Sequence, residues 1–222
     1  MSNVVYTSRD PAPLARVLGI WLWIDLAGCL LAIPVTLAHI EALSALPGSR
    51  ATSFWDTSPE VEAADLVLIG LMPLLVANIV AGFLALKWIY RVSRNAHSMA
   101  TGLTVRPPWA VGWFFIPLAN LLMPFRGVRQ AWQASVQPDA WATVEVPALL
   151  RFWWAAWLVT SGVENLAWRL ELRADIISEV IASDVVGLVG FGLRVVLDLA
   201  FIQVVRRLTS HQVSALHNHA FA

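Results

Sequence analysis

Four stretches of the sequence, at residues 17–40, 66–88, 149–168 and 185–205, are predominantly apolar over twenty or more residues. A helix of about 20 apolar residues is long enough to cross the roughly 30 Å hydrocarbon core of a bilayer. The whole chain agrees with this pattern, because 58% of its 222 residues are hydrophobic and only 14% are charged, with a mean hydropathy of +0.66. Soluble domains contain about 25% charged residues. We therefore expect an all-α integral membrane protein with four transmembrane helices.

The first apolar run is too long and begins too late for an ordinary signal peptide, and it contains Asp25. We expect it to be retained as a membrane anchor. The predicted organisation is then a cytoplasmic segment at 1–16, a single polytopic membrane domain at 17–208 and a C-terminal tail at 209–222. The net charge is zero, which gives no basic field for a nucleic-acid partner.

A fifth apolar segment, at 108–125, contains Pro117 and Pro124 with Asn120 between them. As one helix with a rise of 1.5 Å per residue it would be about 27 Å long, which is barely a span. Each proline frees the carbonyl group four residues earlier, and Asn120 is expected to bond to these freed groups. Two alternatives stay open, a re-entrant or interfacial element and a kinked crossing helix.

The distribution of basic residues separates these two alternatives, since Lys and Arg accumulate on the cytoplasmic side of short loops. If 108–125 does not cross and the N-terminus is inside, eleven Lys and Arg residues are cytoplasmic and three are external. If the segment crosses, the split becomes eight against six. The stronger asymmetry favours four crossings with both termini in the cytoplasm.

The residues after this segment have the pattern of an amphipathic helix, at 125–135. Arginine and glutamine side chains alternate there with Val128 and Trp132, so that polar and apolar residues fall on opposite faces; the polar set is Arg126, Arg129, Gln130 and Gln133. We expect this helix to lie along the inner membrane surface, where its arginines would meet anionic headgroups.

Charged residues inside the predicted spans are candidate functional residues, because charge in hydrocarbon is costly. They are Asp25, Glu164, Arg194 and Asp198. Arg194 and Asp198 are four residues apart and share a helix face, so they are expected to pair. We hypothesise that these two residues and Asp25 form an intramembrane cluster. It is either a structural ion pair that fixes helix register or a site for a proton, an ion or a small ligand.

The sequence contains one cysteine, Cys29, which excludes an intramolecular disulfide and a cysteine-based zinc or iron–sulfur framework. It contains no nucleophile elbow, phosphate-binding loop or zinc-protease motif. We therefore assign no catalytic residue, metal or cofactor, and the motifs do not favour an enzyme.

The stretch R106-P-P-W-A-V-G-W-F-F-I-P-L-A-N-L-L-M-P-F-R126 resembles the core of a bacterial membrane family known only as a domain of unknown function. The family pattern is W-A-x-G-x-x-F-I-P-x-x-N-x-x-x-P-(Y/F), and many members have Tyr at the position of Phe125. The resemblance implies a multi-pass protein of the bacterial cytoplasmic membrane and no activity. The residues of the segment motif are Trp109, Trp113, Pro117, Asn120, Pro124 and Arg126.

The function expected from these features is a non-enzymatic scaffold or partner-binding membrane protein. Its partners would be the lipid bilayer and a second copy of the chain or another membrane protein. The alternative is a small transporter or channel component that uses the intramembrane Asp/Arg cluster, since broken membrane segments are typical of transport sites.

Overall fold

The computed structural model describes residues 6–45, 59, 66, 69–70 and 72–220, and these residues contain helices and turns but no strand. The longer helices are α1 (Ala12–Ser44), α2 (Met72–Met99), α3 (Pro107–Gly112), α4 (Met123–Val136), α5 (Ala148–Glu171) and α6 (Ile177–Ala220). Short 3₁₀ helices lie at Trp113–Phe115, Ala119–Leu121 and Pro138–Thr143. The predicted all-α class is confirmed.

Three helices are long and apolar enough to cross a membrane, namely α1, α2 and the Ile177–His217 part of α6. The number rises to four if the bent pair Pro107–Phe115 and Ala119–Val136 forms one span. Helix α5 has 24 residues, four of them charged, and is not among the three. The helices are therefore compatible with a membrane protein, while the predicted number of crossings stays a prediction.

The helices extend beyond the predicted spans. Helix α2 continues past residue 88 to Met99, and α6 begins at Ile177 and runs through the predicted start of the tail to Ala220. At the predicted start of the second span, Leu66, Ile69 and Gly70 are helical. The rest of 66–71 and most of the acidic connection at 41–65 lie outside the described residues.

The chain divides into two compact units, and the single membrane domain expected at 17–208 stays a prediction. The first unit contains Met1–Leu22, Val80–Trp154 and Ala200–Ala222, and the second contains Trp23–Ile79 and Ala155–Leu199. The four long helices each contribute residues to both units. The core of each unit is therefore described separately.

The first unit contains the bent pair, in which two helical pieces are inclined at 116°. Proline begins the helices on either side of the bend, because Pro107 and Pro124 lie in the first turns of α3 and α4. An N-terminal proline loses no helical hydrogen bond there. Between the pieces Leu118 has a φ of 66° and an exposed side chain. The prolines thus produce a sharp reversal.

Trp154 on α5 holds this reversal within the first unit. Its Nε1–H donates to the backbone carbonyl of Leu121 at 3.0 Å. Its ring stacks on Phe125, with centroids 6.0 Å apart, and meets the edge of Phe114 at 6.2 Å. The indole therefore contacts both limbs of the bent pair, and its only N–H donor is used to fix the second limb.

A buried polar network joins several segments of the first unit. The Asn95 amide donates to the Arg9 carbonyl and to Gln212 Oε1, and Asn95 Oδ1 accepts the Arg9 N–H. Gln212 in turn donates to the Val92 carbonyl and to Ser135 Oγ. Both amide side chains are fully buried, so each bond replaces one that water would otherwise supply.

Helix α4 covers the segment at 125–135, where an amphipathic surface helix stays a prediction, and two of its glutamines are buried. Gln130 and Gln133 are both 5% exposed. Gln130 Oε1 accepts the backbone N–H groups of Thr104 and Val105, and Gln133 Nε2 donates to the Val144 carbonyl. The glutamines thus pin neighbouring loops to α4, whereas Arg126 is exposed.

In the second unit, α1 and α2 approach closely at a glycine. A Cβ atom added to Gly28 would lie 2.9 Å from Leu74 Cδ2, a distance at which one of the two must move. Glycine at this position permits the helices to pack at short distance. The residue after Gly28 is Cys29, and this close crossing therefore lies beside the polar residues of the unit.

Candidate intramembrane site

The second unit contains a cavity of about 600 Å³ lined by residues of four helices. Helix α1 contributes Asp25 and Cys29, which are four residues apart and therefore share a face. Asn78 comes from α2 and Glu164 from α5. Arg194 comes from α6. Charged side chains from three different helices thus meet in one cavity between apolar segments.

The ion pair at the cavity differs from the one expected. Arg194 Nε lies 3.0 Å from Glu164 Oε1. Among the described residues Arg194 makes no ion pair with Asp198, although the two lie one turn apart on α6. The guanidinium is directed across to α5 instead, where a carboxylate on another helix joins the two elements. Glu164 thus belongs to the charged centre of the cavity.

Asp25 is buried, at 5% exposure, and its carboxylate accepts from the Asn78 amide. The Nδ2 atom of Asn78 lies 3.2 Å from Asp25 Oδ2 and 3.4 Å from Oδ1. These are long hydrogen bonds, and they come from a neutral donor. The amide orients the Asp25 carboxylate but brings no positive charge to it.

Asp25, Cys29 and Asp198 lie together, with one ligand atom from each within 4.8 Å of the others. All three residues are buried, and Asp198 is 3% exposed. The structure therefore brings Asp25 and Asp198 close together, and a functional cluster of these residues with Arg194 stays a prediction. The structure adds Cys29, which the sequence analysis considered only for disulfides and cysteine-rich frameworks.

A second polar pair borders the same cavity. The Nδ1–H of His39 donates to Asp184 Oδ2 at 2.7 Å, and both side chains are largely buried. Ser183 Oγ donates to Glu171 Oε2. Asp184, Ser183 and Glu171 all line the cavity, so its polar lining continues along α1, α5 and α6 beyond the Arg194–Glu164 pair.

The residues of the segment motif belong to the first unit and are not among those that line this cavity. Trp109 and Trp113 pack against each other, with ring centroids 4.6 Å apart. Pro117 precedes the reversal at Leu118, and Pro124 begins α4. In this unit the motif builds the bent pair.

The hydrogen bonds expected from Asn120 are not found among the described residues. The carbonyl of Trp113, freed by Pro117, accepts the backbone N–H of Ile116 at 3.4 Å. The Asn120 side-chain oxygen is buried without a hydrogen-bond partner in this part of the chain. The local backbone, folded as a 3₁₀ turn, replaces the expected amide.

Sequence reasoning missed Cys29, Asn78 and the His39–Asp184 pair as site residues. Asn78 was a mid-span polar residue, and Cys29 follows Asp25 by one helical turn. Both signals were available in the spacing. The pairing of His39 with Asp184 was not, because it joins residues 145 positions apart.

The fold and the cavity define an all-helical protein with apolar helices of the kind found in membranes and a buried charged site. The chain belongs to the family described as Domain of unknown function (DUF4328), whose model matches residues 56–210. No curated protein and no solved structure matches the chain.

Proposed function

We propose that this chain is a multi-pass protein of the bacterial cytoplasmic membrane that carries a small cation through the cavity of its second unit, as a transporter or channel component. The observation that carries the proposal is the lining of that cavity. Asp25, Glu164 and Arg194 line one cavity, and α1, α2 and α6, which contribute to its walls, are long and apolar enough to cross a bilayer. Charges in such positions are costly and mark ion or substrate pathways.

The balance of charge supports a cation rather than an anion. Arg194 and Glu164 compensate each other across 3.0 Å. Asp25 and Asp198 then have no basic partner in an ion pair among the described residues, and Asn78 supplies Asp25 only with a neutral donor. Two buried carboxylates that make no contact ion pair favour the entry of positive charge.

The cavity also favours transport over the scaffold function expected from the sequence. A structural ion pair that fixes helix register requires only its two partners in contact. It does not require about 600 Å³ of space lined by polar groups of four helices. Ligand-binding cavities commonly occupy at least about 300 Å³, so the available volume suits a hydrated or partly hydrated ion.

The proposed topology has four crossings, by α1, α2, α5 and α6, with both termini in the cytoplasm. The bent pair is then re-entrant or interfacial. Its support is the concentration of Lys and Arg on one side, eleven against three. The sharp reversal at 116° is compatible with a segment that enters and returns.

Cation flux in proteoliposomes tests the proposed function. Movement of H⁺, Na⁺, K⁺ and Zn²⁺ is measured separately for the wild-type chain, for Asp25→Asn and for the control Glu145→Gln, which changes an exposed carboxylate of the first unit. We expect at least one cation to move faster than in empty liposomes. Asp25→Asn should slow it at least about tenfold, the effect of about 1.4 kcal/mol at the barrier.

Flux equal to that of empty liposomes for all four cations would contradict the proposal. So would a flux that Asp25→Asn leaves unchanged. Equal flux for Glu145→Gln and wild type is the expected control result, because that carboxylate does not line the cavity.

A further inference from the structure

We propose that Asp25, Cys29 and Asp198 bind a divalent transition-metal ion, for which Zn²⁺ is the probe, as the cargo of the cavity. The inference rests on the proposed function and specifies its cation. The three residues come from α1 and α6 of the second unit, and each offers one ligand atom within 4.8 Å of the other two.

This spacing suits direct coordination. Zinc binds carboxylate oxygen at about 2.0–2.2 Å and thiolate sulfur at about 2.3 Å, so that ligand atoms in a tetrahedral shell are about 3.4–3.7 Å apart. Side chains whose ligand atoms are within 4.8 Å reach that spacing by small rotations. Asp25 and Cys29 share one face of α1, which fixes two of the three ligands on a single rigid element.

An independent observation points to a ligand at this position. Asp198 is 97% buried, being 3% exposed, and its Oδ2 atom has no hydrogen-bond partner among the described residues. A buried carboxylate oxygen normally accepts a hydrogen bond or coordinates an ion, because its desolvation is otherwise uncompensated. Asp198 belongs to the three-residue group, so this oxygen is available where a metal would bind.

The charges at the group match a divalent ion. Arg194 makes its contact ion pair with Glu164, so one basic group is shared among three acidic side chains of this unit. Two carboxylates that face each other in a buried site repel unless a proton or a cation lies between them. An ion with two positive charges compensates both, and the Cys29 thiol releases its proton to water when its sulfur binds the metal.

The sulfur ligand selects the class of metal. Mg²⁺ and Ca²⁺ prefer shells made of oxygen ligands, whereas thiolate favours zinc and softer transition metals. Asp25 and Cys29 both line the cavity, so the fourth coordination position faces open space. Three protein ligands with one open position permit exchange of the ion, which a transported cargo requires and a closed structural site does not.

The inference revises the expectation of no metal site. The cysteine count excludes only metal sites that are built from several thiolates, because the chain has one cysteine. A mixed set of two carboxylates and one thiolate passes unnoticed, because Asp198 is 169 positions from Cys29 in the sequence. Only the packing of α6 against α1 in this unit brings the three residues together.

Metal binding is measured on the full chain in detergent after removal of metals with a chelator. Zinc affinity is determined by competition with a chromophoric chelator, and Co²⁺ is used for its thiolate charge-transfer absorption in the near ultraviolet. The variants are Cys29→Ser and Asp198→Asn, which change the ligand atoms with little change of volume. The control is Glu171→Gln, which removes a carboxylate from the same cavity outside the three-residue group and retains an acceptor for Ser183.

We expect one zinc ion per chain, and a cobalt–thiolate absorption that Cys29→Ser abolishes. Loss of a second-shell partner costs about 10–100-fold in affinity, so removal of either ligand should cost at least about 100-fold. Glu171→Gln should bind zinc as the wild type does. Thermal unfolding curves of the metal-free variants show whether each one is folded.

Three results would overturn the inference: no stoichiometric zinc binding by the folded wild type, equal affinity of Cys29→Ser and Asp198→Asn to wild type, or cobalt absorption without a thiolate band. The liposome assay separates this failure from that of the proposed function. Transport of H⁺, Na⁺ or K⁺ without zinc binding would retain the transporter and reject the metal. Zinc binding that depends on Cys29, with no cation flux, would retain the metal site and reject transport.

Discussion

Individual residues determine the electrostatics of the cavity, and Arg194 is the clearest case. Its side chain is 24% exposed and that of Glu164 is 40% exposed, within the space between the helices. Removal of one member leaves the other without its partner, whereas removal of both leaves neither of these two charges behind. The pair therefore stabilises the unit chiefly because each charge offsets the desolvation cost of the other.

A double-substitution cycle measures this coupling. We expect Glu164→Gln alone to lower the free energy of unfolding by about 1–3 kcal/mol, between the values typical of exposed and of buried pairs. Arg194→Gln in addition should recover part of that loss, because neither member of the pair is then left without its partner. The measurement is denaturant unfolding in detergent for the two single variants and the double variant. Additive losses would show that the two residues do not interact energetically.

Asn78 belongs to the same scale, because it acts through Asp25. Asn78→Leu removes the amide donor of that carboxylate and retains the branched shape of the side chain. Because an unsatisfied buried acceptor costs about 1–3 kcal/mol, we expect a loss of stability in that range in metal-free protein. Asn78→Ser, which retains a donor, should lose less. Equal stability of wild type and Asn78→Leu in chemical denaturation would contradict the role of the amide.

At the scale of elements, the bent pair owes its shape to both sequence and packing. The two prolines predicted a break within 108–125. The structure has a bend of 116° in this segment. What sequence could not predict is the support. Trp154 lies about thirty positions further along the chain, and its bond to Leu121 exists only because α5 packs on this segment. Such partners depend on tertiary contacts, which local periodicity does not encode.

Two substitutions at Trp154 separate its hydrogen bond from its packing. Trp154→Phe retains a ring against Phe125 and removes the donor to Leu121, at an expected cost of about 1 kcal/mol. Trp154→Ala removes both, and large-to-small changes at buried aromatic residues cost about 3–5 kcal/mol. The exposed Trp23 provides the control, since Trp23→Ala should have little effect. Unfolding of all three variants at equal denaturant concentration would contradict the supporting role.

The buried amide network of the first unit also belongs to this scale, because Gln212 connects α6 with α2 and α4. Gln212→Ala should destabilise the protein by about 2–4 kcal/mol, since it leaves several buried groups unpaired. Gln203 lies on the same helix and is exposed. Gln203→Ala should change stability by less than about 0.5 kcal/mol. Similar losses of stability in Gln212→Ala and Gln203→Ala would show that the buried hydrogen bonds of the network do not stabilise the protein.

At the scale of the whole molecule, composition and charge predicted the fold class and the long helices, whereas they predicted the contacts within the cavity less well. The long apolar stretches predicted α1, α2, α5 and α6, because a chain that crosses lipid must form a helix to satisfy its backbone hydrogen bonds. The helix ends were less predictable, as polar residues of α2 and α6 extend those helices to Met99 and Ala220. The charged residues of the cavity were predicted, but their contacts with one another were not. Asp25, Arg194, Asp198 and Glu164 were identifiable as costly charges, but which charge would meet which depended on helix packing.

Cysteine labelling in intact cells tests the proposed topology. In a Cys29→Ala background, a cysteine replacing the exposed Gln137 should react with an impermeant maleimide only after permeabilisation, because four crossings place it in the cytoplasm. Labelling of that cysteine from outside intact cells would contradict the four-crossing arrangement and would indicate that 108–125 crosses the bilayer.

The water-accessible charged cavity is tested most directly at Cys29, the one cysteine of the chain. A positively charged methanethiosulfonate reagent is applied to metal-free membranes containing the wild type or a Cys29→Ala, Leu30→Cys control, whose exposed position lies next along α1. We predict reaction at Cys29, protection by Zn²⁺ and no reaction at the control position, where an apolar environment keeps the thiol protonated. Failure of Cys29 to react with the charged reagent, while a neutral reagent modifies it, would contradict a hydrated cation site.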